Sequence, residues 1–274
     1  MTDDFAPTMS VELPAALAEV PDLYDEIYVI VSPPRCCSTA FTRVFWEHPS
    51  VRFYSHEPFE VTYYRDAPLS EVAAKLRAPL DLTGLTSARS REGASALVIK
   101  EMPYQVGDSF PMLAALTRRP IVFLLRDPRR NIASRIRKKL EVGDSPIFPL
   151  IESGWELIER QIEHCRTHDI DHLIVTSQDF RGRPLEVFPP LFERLGMEFS
   201  PRMLEWKSCP DVEIDNLGGD HSHLYRAVLS STGLAPESRA LPELNDFPSD
   251  GGLRDHVVRC LEIYERLRLT TIAG

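Results

Sequence analysis

Two stretches of this chain constrain its fold more than any others. Ile27 to Ser32 (IYVIVS) and Pro120 to Leu125 (PIVFLL) are unbroken apolar runs rich in β-branched side chains. A strand with one wet face alternates apolar and polar residues. A run without that alternation reads as a strand covered on both faces. Each run leads through a turn into a segment of helical character, Thr39 to Glu47 after the first and Arg129 to Leu140 after the second. Ala96 to Lys100 (ALVIK) and Asp171 to Thr176 (DHLIVT) read as further strands, with helices predicted around Met112 to Leu116, over Trp155 to Arg166 and over Pro189 to Leu195. The last of these would carry its prolines in the opening turn. Strands alternating with helices demand right-handed crossovers. The expected fold is a three-layer α/β domain with a mostly parallel central sheet.

The rest of the chain fits one domain. Residues 1–25 are acidic and interrupted by proline, and read as an N-terminal arm; residues 26–274 read as a single domain, since a chain this long can bury one large core. A final helix is expected over Leu253 to Arg268. Cys209 to Asp250 is rich in Pro, Gly and Asp, with a short helical piece near Leu224 to Leu229. Asp plus Glu outnumber Lys plus Arg by 41 to 31, for a formal charge of −10, which argues against nucleic acid as a partner. No basic start precedes an apolar run at the N-terminus, and no stretch approaches the length that spans a bilayer, so neither export nor a membrane is expected. The five Cys are scattered apart from the neighbours Cys36 and Cys37, which could bridge only with strain. Free thiols and a cytoplasmic location follow. Oligomeric state is left open, a homodimer included.

In open α/β sheets ligands bind beyond the carboxyl ends of the strands. The loop after the first strand reads Ser32-Pro33-Pro34-Arg35-Cys36-Cys37-Ser38-Thr39 and enters a helix. Such a junction turns backbone N–H groups and the positive helix end outward, which suits an anion. Arg35 adds a charge, and Ser38 and Thr39 add hydroxyls. The GxxxxGK[ST] pattern of the nucleotide triphosphatases is missing, which disfavours chemistry on a β/γ-phosphate with Mg²⁺. The second apolar run ends in Arg126-Asp127-Pro128-Arg129-Arg130-Asn131-Ile132-Ala133-Ser134. Seven basic residues lie between Arg126 and Lys139. Most of them read as a solvated helix face, but Arg126 precedes the helix and points to the same sheet edge as Arg35.

PPRCCST after the first strand and FLLRDPRRNIAS after the later one resemble the two nucleotide motifs of the sulfotransferase family. The resemblance implies a fold like that of the P-loop kinases and transfer of the sulfuryl group of 3′-phosphoadenosine 5′-phosphosulfate (PAPS) to a small-molecule acceptor, leaving adenosine 3′,5′-bisphosphate and needing no metal. Arg35, Cys36, Cys37, Ser38 and Thr39 would face the 5′-phosphosulfate; Arg126 and Ser134 would hold the 3′-phosphate. Cys37 stands where the family usually has Gly, and Cys36 where it has Ser. The Gly-rich terminal motif of the cytosolic animal enzymes is absent, so the chain looks more like the bacterial branch.

Sulfuryl transfer needs a base at the acceptor and positive charge where the bridging oxygen departs. The resemblance places a base either about twenty residues beyond the first loop, where His56-Glu57-Pro58-Phe59 stands, or after the next strand, at Ile99-Lys100-Glu101-Met102-Pro103. Glu57 is favoured as base, with His56 and Glu101 in reserve and Lys100 as the cation at the bridging oxygen. Acceptor specificity is expected from the loops Phe59–Asp66, Val142–Ile151 and Asp211–His223. Two other classes stay open: a P-loop-like kinase using ATP, and a non-catalytic nucleotide-binding protein on the same fold. His164, His168 and His172, and the run Asp220-His221-Ser222-His223, are weak metal candidates, the latter reading better as a helix start capped by Asp220. Trp155 and Trp206 read as packing residues.

Overall fold

Both apolar runs are interior strands. In the computed structural model, which describes residues 12–87, 92–214 and 222–272, six strands form one sheet. They are β1 (Ile27–Val31), β2 (Val51–His56), β3 (Leu80–Asp81), β4 (Ala96–Glu101), β5 (Ile121–Leu125) and β6 (His172–Thr176), in the order β3-β2-β4-β1-β5-β6. All pairings are parallel except that of the short edge strand β3 with β2.

Period-2 alternation sends successive side chains of one strand to opposite faces. Ile27, Val29 and Val31 therefore join one core, with Leu97, Ile99, Ile121 and Phe123, while Tyr28 and Ile30 join the other, with Val98, Val122 and Leu124. The first face is covered by α2 (Glu60–Arg65), α3 (Leu69–Arg77), α4 (Pro103–Val106), α5 (Phe110–Ala115), α6 (Pro128–Glu141), α7 (Trp155–Thr167) and α11 (Leu253–Arg268). The second is covered by α1 (Ser38–Trp46), α8 (Ser177–Gly182), α9 (Pro184–Arg194) and α10 (Ser222–Leu229). This is the three-layer arrangement that the apolar runs imply.

Three local readings change. β2 and α3 carry no unbroken apolar run, and the sequence pattern passes over them. β2 is VRFYSH, with Val51 and its last three residues buried and Arg52 exposed between them. Helix α9 begins at Pro184 and holds Pro189 and Pro190 in its interior, not in its first turn. Ahead of β1, Leu17 and Val20 are fully buried in the first core, and the Arg77 side chain donates to the Ala16 carbonyl at 3.1 Å. This part of the N-terminal arm therefore contributes to the core.

Trp155 is fully buried, and Trp206 lies 5.4 Å from the guanidinium of Arg43. Arg43 is itself fully buried and donates to the Lys207 carbonyl at 2.6 Å, pinning the chain after Trp206 to α1.

Candidate active site

The parallel strands end on one edge, and a cavity of about 640 Å³ opens there. Strand order decides what faces it. Passing from β2 to β6 along that edge, one meets Glu57, Lys100, the loop Arg35–Thr39, Arg126 and Arg181, all of which line the cavity except Cys36. The β2 end and the β5 end are three strand spacings apart, about 14 Å.

The loop after β1 turns on two left-handed residues, Arg35 (φ 63°) and Cys37 (φ 64°). Cys37 is the residue before α1, and its carbonyl accepts the Phe41 N–H at 3.0 Å, the first turn of the helix. A left-handed backbone costs a non-glycine residue about 1–2 kcal/mol. We therefore expect Cys37→Gly to stabilise the fold despite the extra freedom of the unfolded chain, with a rise in thermal midpoint of about 2–4 °C read by calorimetry. An unchanged or lower midpoint would mean that the thiol's contact with Arg181 (3.5 Å) outweighs the strain. Cys36 differs from Cys37 in where its side chain lies. Its side chain is fully buried beneath the loop, 3.8 Å from Asn131 Nδ2, and burial pushes its thiol up to about 12. Any contact of Cys36 with a ligand would come from its backbone. All five cysteines are free thiols.

The two arginine loops meet. Arg126 Nη1 donates to the Arg35 carbonyl at 2.9 Å, and Arg35 Nε lies 3.5 Å from Ser134 Oγ. Asp127 fixes the start of α6, accepting the Arg129 N–H at 2.9 Å, so the helix carries Ser134 back over the loop. Burial, together with the charges of Arg126 and Arg137, holds the Arg35 guanidinium below its ordinary pKa. That crowding of positive charge is relieved by an anion. Arg126 Nε is buried without a hydrogen-bond partner among the described residues. A buried donor left unpaired costs about 1–3 kcal/mol, so it too favours an anionic ligand.

At the other end Glu57 is fully buried and left-handed (φ 50°). Its N–H donates to the Lys100 carbonyl at 2.7 Å. Its carboxylate accepts from Lys100 Nζ, from Gln105 Nε2 at 2.8 Å, and pairs with His56 Nε2 at 3.1 Å. Burial alone would raise the carboxyl pKa, but the charges and hydrogen bonds of Lys100 and His56 overcome it and hold Glu57 well below the usual carboxylate range. The two reserve bases stand elsewhere. His56 is buried behind Glu57, its Nδ1 2.5 Å from the Tyr54 hydroxyl and its ring against Tyr225. Glu101 is fully buried and accepts the N–H groups of Phe59 (2.9 Å) and Met102 (2.7 Å), stapling the two strand ends together. Burial and the Glu57 charge raise its pKa well above the ordinary value. Neither lines the cavity; of the three candidates only Glu57 does.

Gln105 and Arg181 had no sequence signature. Each belongs to a short helix with no motif around it, and only the fold brings it to the cavity. Of the loops expected to set acceptor specificity, Glu60 and Tyr64 from the first and Val142, Ile147 and Phe148 from the second line the cavity. From beyond the third, Leu224 and Tyr225 of α10 do so, while Asp220 and His221 lie outside the described residues. Arg135 lies 4.3 Å over the Phe148 ring and donates to the Glu152 carbonyl at 2.7 Å. Among the described residues no group of three or more His, Cys, Asp or Glu side chains could hold a metal ion, and no helix is long and apolar enough to cross a membrane.

The mostly parallel six-stranded sheet carries its cavity at the carboxyl edge of the strands, where open α/β sheets bind ligands. The sequence matches the sulfotransferase domain family over residues 27–253, and the chain belongs to that family. It is thus a sulfotransferase in the general sense, a group-transfer enzyme. Among solved structures, the sulfotransferase domain of the Synechococcus PCC 7002 olefin synthase matches at a TM-score of 0.49 and 15% identity, covering 88% of this chain and 95% of that one. The sulfotransferase domain from the curacin biosynthetic pathway matches at 0.48 and 17%, covering 89% and 98%. Mouse sulfotransferase SULT7A1, complexed with PAP, matches at 0.49 and 12%, covering 95% and 91%. No curated protein matches the sequence.

Proposed function

We propose that this chain moves a sulfuryl group from PAPS to a hydroxyl or amine of a small-molecule acceptor. The observation that carries this reading is the division of one cavity into a cationic end and an acid–base end. Arg35, Arg126 and Ser134 converge at the first, where the unpaired Arg126 Nε asks for an anion. Glu57 and Lys100 meet at the second. In this reading Arg126 and Ser134 hold the 3′-phosphate, while Arg35 and the N–H groups from Cys36 to Thr39 neutralise the 5′ end. When bound, PAPS supplies the sulfuryl group: its bond to the bridging phosphate oxygen breaks as sulfur bonds to the acceptor, and adenosine 3′,5′-bisphosphate departs. Glu57 takes the acceptor's proton on its carboxylate. Lys100 sets its ammonium against the charge that develops on the bridging oxygen.

Calorimetric titration tests the donor assignment. Adenosine 3′,5′-bisphosphate should bind at least tenfold more tightly than adenosine 5′-monophosphate, since one charged hydrogen bond contributes about 1.5–3 kcal/mol. Equal affinity for the two, or Mg²⁺-dependent ATP binding in their place, would remove PAPS from the reading.

A further inference from the structure

Two arginines that line the cationic end of the cavity are bridged by the chain's own carboxylate. Glu237 Oε2 accepts from Arg126 Nη2 and also from Arg181 Nη1, the latter at 3.0 Å. One oxygen is thus shared by two guanidiniums that reach it from different strand ends, β5 and β6. The three side chains are mostly buried, with 10%, 16% and 19% exposed for Arg126, Arg181 and Glu237. Burial opposes the charge on Glu237, yet Arg126 and Arg181 hold its pKa below the ordinary value. The backbone around it is tied down by Arg181 and by Arg130. Arg181 Nε donates to the Ala235 carbonyl at 2.8 Å and Nη2 to the Pro236 carbonyl at 2.7 Å, and Arg130 Nη1 donates to the Arg239 carbonyl at 2.7 Å.

We propose that Arg181 and Arg126 form a two-guanidinium clamp for a phosphomonoester, and that Glu237 stands in for that phosphate until the nucleotide displaces it. The inference rests on the PAPS reading and deepens it: it names Arg181 as a second phosphate-binding residue and makes donor binding a competition with residue 237. Charge decides the competition. A carboxylate brings one negative charge and two oxygens. A phosphomonoester brings about −1.5 to −2 at neutral pH and three terminal oxygens, and so matches two guanidiniums better. It also offers an acceptor to Arg126 Nε, which Glu237 leaves unpaired. Arg181 Nη1 further lies 3.5 Å from Cys37 Sγ, so the clamp abuts the loop that faces the 5′ end.

Binding of adenosine 3′,5′-bisphosphate and of adenosine 5′-monophosphate to Glu237→Gln, Arg181→Ala and the unaltered protein tests this. Glu237→Gln keeps the side-chain shape and removes its charge. It should tighten the bisphosphate about tenfold or more and leave the monophosphate within about twofold. Arg181→Ala should weaken the bisphosphate about tenfold to a hundredfold and again spare the monophosphate. Thermal melting of each variant separates loss of binding from loss of fold, and because Glu237→Gln is expected to gain affinity, misfolding cannot imitate it. If the bisphosphate is preferred throughout but neither substitution alters that preference, or if Glu237→Gln weakens it, the clamp is refuted while the PAPS reading stands. If no form of the protein prefers the bisphosphate, both fall.

Discussion

Glu57→Gln is expected to lower turnover by about two to four orders of magnitude, the range associated with a lost general base, while adenosine 3′,5′-bisphosphate binds as before. The substitution keeps the side-chain length and leaves one acceptor oxygen for Lys100; its amide nitrogen replaces the oxygen that accepts from Gln105, whose own amide turns to present its unpaired oxygen instead. What goes is the charge that accepts a proton. The pH dependence sharpens the test. In the free enzyme Glu57 is held below the usual carboxylate range by Lys100 and His56, against the effect of burial. It is therefore ionised through the neutral range and protonates only as pH falls through its lowered folded-state pKa. The stability it contributes follows the same sign: present above the unfolded-state pKa, lost as pH falls through the folded one. Once the donor draws Lys100 toward the bridging oxygen, Glu57 loses its main cation and burial raises its pKa. The acid limb of kcat, which reports the bound complex, should then lie at higher pH than that of kcat/KM, which reports the free enzyme. Coincident limbs would show that Lys100 does not leave Glu57. Unaltered turnover in Glu57→Gln would remove Glu57 from the chemistry.

The contrast between what could and could not be read ahead of the fold follows from the range of the interactions. β1 and β5 were legible because a strand covered on both faces has to be apolar at every position, and the turn after each is local. Arg35 and Arg126 were legible as occupants of one sheet edge for the same reason. β2 was not, because VRFYSH is buried at Val51, exposed at Arg52 and buried again over its last three residues, so no single period runs through it. The base candidates show the limit more sharply. His56, Glu57 and Glu101 look alike as titratable groups near strand ends. Register decides among them. His56 pairs across to Lys100, and Glu57 one step later reaches the Lys100 ammonium. Glu101 is turned onto the N–H groups of Phe59 and Met102, where a carboxyl can only brace the loops. Cys36 and Cys37 divide in the same way, one buried and one facing the cavity, because the left-handed turn at Cys37 rotates the chain between them. Arg181 and Glu237 meet across fifty-six positions, and nothing local in either segment announces the contact.

Arg126→Ala is expected to act at the opposite end of the cavity and on the opposite parameter. Truncating one member of a buried, hydrogen-bonded charge pair costs about 2–5 kcal/mol of binding, which is at least about thirtyfold in affinity for adenosine 3′,5′-bisphosphate. The fold should survive, because Glu237 keeps its bond to Arg181 and is not left as an unpaired buried charge. Arg126 also holds the Arg35 carbonyl, so adenosine 5′-monophosphate should weaken too, but by less, as the loop slackens without losing its own groups. Arg126→Lys keeps the charge but has no fork to reach the phosphate and the Arg35 carbonyl together, so it should recover only part of the loss. At saturating donor the turnover of Arg126→Ala should return to near that of the unaltered enzyme, since Glu57 and Lys100 are untouched. A Glu57 variant that loses turnover but not donor affinity, beside an Arg126 variant that loses affinity but not turnover, is the pattern that a cavity with two separate ends requires. An Arg126→Ala enzyme that keeps full affinity for the bisphosphate, or one whose turnover stays low at saturating donor, would show that the two ends are not divided in this way.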